Sequence, residues 1–172
     1  AGGDATGGTI SIQASGEGSL IRSGRIVLTA DGEAGDGGSS QGNDLTTGAG
    51  VRGANGGFAM GGSILIGAAD SGTIDFAEET RATFQANAIS GIGSAGTSGV
   101  NGTGGAGGRG GDGGEAYGGS ISITGNTGGT LHLGLYGQTE FIATGFGSGG
   151  GNGGNGADNS AIGGRGGDGG EG

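Results

Sequence analysis

Lysine, cysteine, proline and tryptophan are missing altogether from the 172-residue chain. Without cysteine there are no disulfides and no thiolate metal sites. Without lysine there are no Lys–Asn isopeptide links, no lysine-based catalysis and no phosphate-binding GxxxxGK[ST] loop. Glycine, at 56 residues, is about one-third of the chain, but with no proline a collagen triple helix would lack the residue that pre-sets its backbone. Aromatic residues are few, five Phe and two Tyr, and sixteen acidic residues face six arginines, a net charge of −10. Nucleic-acid binding wants basic patches and stacking aromatics, so the composition argues against it. The acidity suits a surface that resists clumping. No apolar run approaches the length that spans a bilayer. The chain begins with Ala1 and carries no signal peptide, which reads as a piece of something longer.

What is present is a triplet pattern. Gly104–Glu115 reads GGA GGR GGD GGE, and Gly163–Glu171 repeats GGR GGD GGE. A strict period of three is the repeat of an extended polyproline-II-type helix, not of an α-helix or a strand. In such a helix GGX sets glycine along two edges and the X residues Ala106, Arg109, Asp112 and Glu115 along a third, facing water. Glycine loses more entropy on ordering than any other residue. The tracts are therefore expected to order only where many backbones satisfy one another.

Between the tracts lie ordinary strand signals. Gly8-Thr9-Ile10-Ser11-Ile12, Gly62-Ser63-Ile64-Leu65-Ile66 and Gly119-Ser120-Ile121-Ser122-Ile123 align, with the period-two alternation of half-buried strands. A second apolar position follows at Leu20, Ile74 and Leu131, and a third at Leu28, Phe84 and Phe141, each followed two residues later by Ala30, Ala86 or Ala143. The sequence divides into three sub-repeats, 7–60, 61–117 and 118–172, which together make residues 1–172 one tandem-repeat unit. The tail GGRGGDGGEG joined to the head AGGDATGGTISI imitates residues 107–123, as if the unit were one copy in a longer array. One such coil cannot bury its apolar face alone, and stacked coils bury a shared narrow core. The fold expected is all-β: a repetitive, parallel β-solenoid-like stack of short strands with GGX segments of polyglycine-II type and little or no helix.

The elements G-[ST]-I-x-I, G-[ST]-[LI] and an apolar strand ending in Ala, as in GGTISIQASGEGSLIRSGRIVLTADG and GGSISITGNTGGTLHLGLYGQTEFIATG, resemble the coils of large secreted bacterial adhesins of the filamentous-haemagglutinin and autotransporter type. The resemblance covers about half the chain. It implies a right-handed parallel β-solenoid, export to the cell surface, and a role in adhesion or matrix. The long glycine insertions depart from that family and are more similar to the polyglycine-II bundles of some phage tail-fibre adhesins and of a glycine-rich antifreeze protein.

Candidate chemistry is sparse. GGRGGD at Gly107–Asp112 and Gly163–Asp168, with GGNGAD at Gly153–Asp158, matches the first six positions of the calcium nonapeptide GGxGxDxUx, which makes Asp112 and Asp168 the first candidates for calcium. The large apolar residue required at the eighth position is Gly114, Gly170 or Ser160 instead, so no metal site is assigned. His132 stands alone between Leu131 and Leu133, and alternation turns it away from the core. Glu78 with Glu79, and Asp75 with Glu140, carry no positive signal for paired-carboxylate hydrolysis. Asn101-Gly102-Thr103 is a sequon that chance explains. Tyr117, Phe58 and Met60 are expected to cover the end of the apolar core where the glycine tract re-enters. No catalytic residue, cofactor or enzyme activity is assigned. The reading is a structural tandem-repeat subunit of an extracellular filament or surface fibre, bacterial, whose partner is another copy of itself. An adhesin or phage-fibre module that recognises a cell-surface ligand is the alternative, and neither nucleic acid nor membrane insertion is expected.

Overall fold

A computed structural model describes residues 1–42, 48–76, 81–100, 105–133, 138–156, 163, 165 and 167–171. Fifteen strands and no helix occur among them. The chain makes three coils of five strands. The first holds β1 (Ala5–Thr6), β2 (Thr9–Ser15), β3 (Leu20–Arg22), β4 (Ile26–Thr29) and β5 (Gly32–Glu33). The second holds β6 (Ala59–Met60), β7 (Ser63–Ala69), β8 (Thr73–Asp75), β9 (Arg81–Gln85) and β10 (Ala88–Ile89). The third holds β11 (Ala116–Tyr117), β12 (Ser120–Gly125), β13 (Thr130–His132), β14 (Gln138–Ile142) and β15 (Gly145–Phe146). Each strand pairs in parallel with its counterparts one coil away, giving five three-stranded sheets. The aligned isoleucines fall into register, Ile10 with Ile64 and Ile121, and Ile12 with Ile66 and Ile123.

Three of the sheets enclose the core. Rows of like residues run along the stack: the two isoleucine rows, then Ile21–Ile74–Leu131 and Leu28–Phe84–Phe141. The large side chains that are fully buried, Ile64, Ile66, Ile74, Phe76 and Phe84, all belong to the middle coil. Burial thus depends on a neighbour above and below. The outer coils leave their row members partly covered, and Phe141 is 49% exposed.

Register corrects one part of the sequence alignment. Ile21, not Leu20, stands beside Ile74 and Leu131, while Leu20 pairs with Thr73 and is exposed. A one-residue shift exchanges the two faces of a strand. Here it puts Ile21 inward and sets Arg22 beside Asp75, an ion pair of 3.1 Å. Leu20 in the core would have turned Arg22 inward as well.

The end of the core is also closed differently from expectation. β1–β6–β11 and β5–β10–β15 face one another across a thin alanine layer of Ala5, Ala34, Ala59, Ala88 and Ala116. A Cβ on Gly32 would overlap the carbonyl of Met60, and one on Gly145 the carbonyl of Ala116, so nothing larger fits between the sheets. Met60 and Tyr117 lie instead on the outer surface, and the Phe58 and Tyr117 rings meet at 5.7 Å.

Beyond this neck each coil runs out into glycine-rich chain and returns. Outgoing limbs occupy 34–42, 90–100 and 147–156, and returning limbs 48–57, 105–114 and, among the described residues of the last, 163, 165 and 167–171. The returning limb 105–114 shows how they cohere. The carbonyls of Ala106, Arg109 and Asp112 accept from the N–H groups of Gly50, Gly53 and Gly56 in the coil before. Gly110 and Gly113 donate to the carbonyls of Arg165 and Asp168 in the coil after. Gly108, Gly111 and Gly114 donate across to Thr97, Ser94 and Gly91, and Gly108 and Gly111 accept from Gly154 and Gly151. Each task returns every third residue, as an extended three-residue turn requires. Two of the three edges are packed against backbone, which is why both are glycine.

Candidate assembly interface

The X edge of the returning limbs carries a dense polar cluster. Arg52, Arg109 and Arg165 form one column, and Asn55, Asp112 and Asp168 the next. Asp112 receives Arg109 Nη2 at 2.6 Å and Arg52 Nη2 at 2.8 Å. Asp168 receives Arg165 at 2.9 Å and Arg109 at 3.0 Å. Arginine therefore pairs both within its own limb and with the acid of the following coil, making a zigzag along the stack. The two calcium candidates are brought together by this zigzag, and arginines occupy their oxygens. Among the described residues no group of three or more His, Cys, Asp or Glu converges as a metal site would require. Asp158, Glu78, Glu79 and Asn101 lie outside the described residues.

The X row is less exposed than the triplets implied. Ala106 and Glu115 face water, but Arg109 and Asp112 are half-buried between neighbouring limbs. A spacing of three along one edge makes Arg109 and Asp112 neighbours, and the stacking of coils carries the pairing on to Asp168. The signal was there in the equal spacing of Arg52, Arg109 and Arg165, hidden because GVRGANGG at 50–57 is a degenerate GGX tract.

A second device recurs along the stack. Side-chain oxygens of one coil accept backbone N–H groups of the next: Asp4 from Phe58, Asp31 from Asn87, Asp36 from Ile92, Asn55 from Asp112, Asn87 from Thr144 and Asp112 from Asp168, at 2.7 to 3.2 Å. Each contact satisfies an N–H of a residue that lies outside the strands. The Asp168 N–H on Asp112 Oδ1, followed by the positive charges of Arg109, Arg52 and Arg165, holds the Asp112 carboxyl below the ordinary 3.8, against an opposing push from desolvation. A carboxyl lowered on folding adds stability above its unfolded pKa, and that stability is lost as pH falls through the folded value. Asp112→Asn is therefore expected to flatten the acid limb of the stability profile below about pH 4 and to leave the slope at neutral pH unchanged, as acid titration followed by circular dichroism would measure.

His132 is exposed on β13 with Nδ1 3.8 Å from Asp75 Oδ1, so Asp75 is flanked by Arg22 and His132 from the two adjoining coils. Asp75 and Glu140 sit on different sheets. No family model, curated protein or solved structure matches the chain.

The remaining feature is the pair of open ends. The first coil exposes one edge of all five sheets and the third coil exposes the other. In the row Gly8–Gly62–Gly119, a Cβ on Gly62 would overlap the carbonyl of Gly8, and a Cβ on Gly119 that of Gly62. A Cβ on Gly8 would meet nothing within 4 Å. Gly8 thus has the residue its row-mates need but, within one chain, not the neighbour that makes them need it.

Proposed function

We propose that the chain is a structural repeat unit of an extracellular, bacterial filament or surface fibre, in which copies stack head to tail. The single observation that carries this reading is Gly8. A preceding copy laid on in register would place the carbonyl of its Gly119 where a Gly8 side chain would have to go. The half-covered rows support the same reading, because a middle coil shows how fully each row is buried once both sides are occupied. The resemblance of the strand motifs to secreted repeat adhesins supports the extracellular setting. The mechanism is mechanical: strand ladders and glycine limbs continue from copy to copy, and main-chain hydrogen bonds replace a thick apolar core.

The test is to compare the chain with Gly8→Ala by electron microscopy and light scattering. The unaltered chain is expected to form uniform fibres. The variant is expected to keep its folded stability while its association weakens by about tenfold or more, the consequence of one overpacked backbone contact at the junction. Dispersed particles from the unaltered chain, or equal fibres from both, would refute the stacking.

A further inference from the structure

Met60 lies in the middle coil, with a coil on either side, and is still 42% exposed. Tyr117 stands beside it in register and is 50% exposed. Both belong to the outer face of β1–β6–β11, a flank of the stack that a further coil would extend but not cover. The half-buried Phe58 ring adjoins Tyr117, tilted by 45°. Carboxylates border the rings. The column Asp4–Phe58–Glu115–Glu171 runs next to the row Thr6–Met60–Tyr117. Asp4 Oδ1 accepts the Phe58 N–H at 2.8 Å, and the Tyr117 hydroxyl donates to Glu115 Oε2 at 3.2 Å. Asp112 and Asp168 each pair with two arginines, but among the described residues none pairs with Asp4, Glu115 or Glu171. The Glu115 charge, the hydrogen bond to it, desolvation and the Glu171 charge together hold the Tyr117 phenol above its ordinary 10.0. A negative field that disfavours a phenolate there favours a cation.

We propose that this flank binds a basic segment of another protein. One lysine or arginine head lies on the exposed face of Tyr117, and further basic side chains pair with the carboxylates. An aromatic face attracts a cation through its quadrupole, and an adjacent carboxylate adds to the attraction. Met60 offers apolar surface for the aliphatic stem behind the charged head. This chain has no lysine, so an ammonium group has to come from a different protein. A polypeptide fits better than a single lipid headgroup. Asp4, Glu115 and Glu171 spread over three coil steps, about 14 Å at the usual strand spacing, and call for several cations in a line. The opposite neck face lacks the combination: in its row Glu33–Ile89–Phe146 the carboxylate and the ring are two coils apart. The patch is complete within one chain, so its test does not depend on the stacking of copies.

The test is equilibrium dialysis of a labelled lysine hexapeptide against the full chain at low salt. Binding is expected, weakening as salt is added. The same peptide with its side-chain amines acetylated should not bind, because the charge is gone. Tyr117→Leu is expected to weaken binding about two- to fivefold, the range for one exposed cation–π contact, while Tyr117→Phe keeps the ring and most of the affinity. Glu115→Gln should weaken it to a similar degree. Glu33→Gln removes the same charge from the opposite face and should change binding little. All three positions are exposed, so folding is not at stake. Equal losses from Glu33→Gln and Glu115→Gln would reduce the effect to overall acidity and overturn the site. So would undiminished binding by Tyr117→Leu. Phosphatidylcholine vesicles that bind through Tyr117 while the peptide does not would assign the patch to a membrane surface instead. A Tyr117→Leu chain that binds the peptide as before but no longer associates side by side would assign it to a second copy.

Discussion

Gly111→Ala should cost about 3 kcal/mol of folding stability or more, the upper range for overpacking, from the addition of one methyl group. Gly111 is buried in the glycine layer, and its N–H and carbonyl bond to Ser94 and Gly151 on opposite sides. The added Cβ would overlap the carbonyl of Ala54 in the preceding coil. That oxygen cannot step aside, because it accepts the N–H of Ser94 at 2.9 Å. Relief at one limb therefore breaks bonds in two others. Gly149→Ala supplies the control: a Cβ there meets nothing within 4 Å, and its backbone is not left-handed. Alanine at that position is expected to be neutral or to stabilise by about 0.5 kcal/mol through the unfolded state. Urea unfolding compares the two, and hydrogen exchange locates the effect. Amides of 105–114 should lose protection in the first variant and keep it in the second. Equal stability of the two variants would mean that the limbs do not pack as described.

Phe84→Ala is expected to cost about 3–5 kcal/mol, the usual range for a buried phenylalanine. The ring is completely buried and stacks on Phe141 with centroids 5.1 Å apart and planes inclined by 11°. Its row places Leu28 on the other side. Phe141→Ala removes the same side chain from the open end of the row, where the ring is 49% exposed, and should cost about 1–2 kcal/mol in the dilute chain. The comparison separates chemistry from position. In stacked material Phe141 acquires the coverage Phe84 already has, so the gap between the variants should narrow. A gap that stays constant on assembly would argue against coverage of that end.

The strands and their order were legible because both rest on local pattern. Alternating isoleucines after Gly-Ser or Gly-Thr define β2, β7 and β12, and unbroken triplets define the limb at 105–114. What escaped was set by distances between coils. The misplaced register of β3 arose because Leu20 and Ile21 are both apolar, and only the neighbouring Arg22 and its pairing with Asp75 decide between them. The alanine neck gave no strand signal, since two-residue strands are too short to show a period. Its composition follows from how close the opposing sheets come. Among the polar residues, the contacts within one limb could be read from spacing. The handover of Asn55 and Asp112 to N–H groups 57 and 56 residues further on could not, because it depends on equivalent limbs being superposed.

The handover also has a direction. From Asp4 through Asn55, Asn87 and Asp112, the carboxylate or amide oxygen always belongs to the earlier coil and the amide hydrogen to the later one. A string of such arrows has no mirror twin. A unit inverted on its neighbour would set oxygen against oxygen at one seam and hydrogen against hydrogen at the other. Any polymer made this way carries two chemically unlike tips, and the placement of single aspartates and asparagines sets which way every unit in it must face.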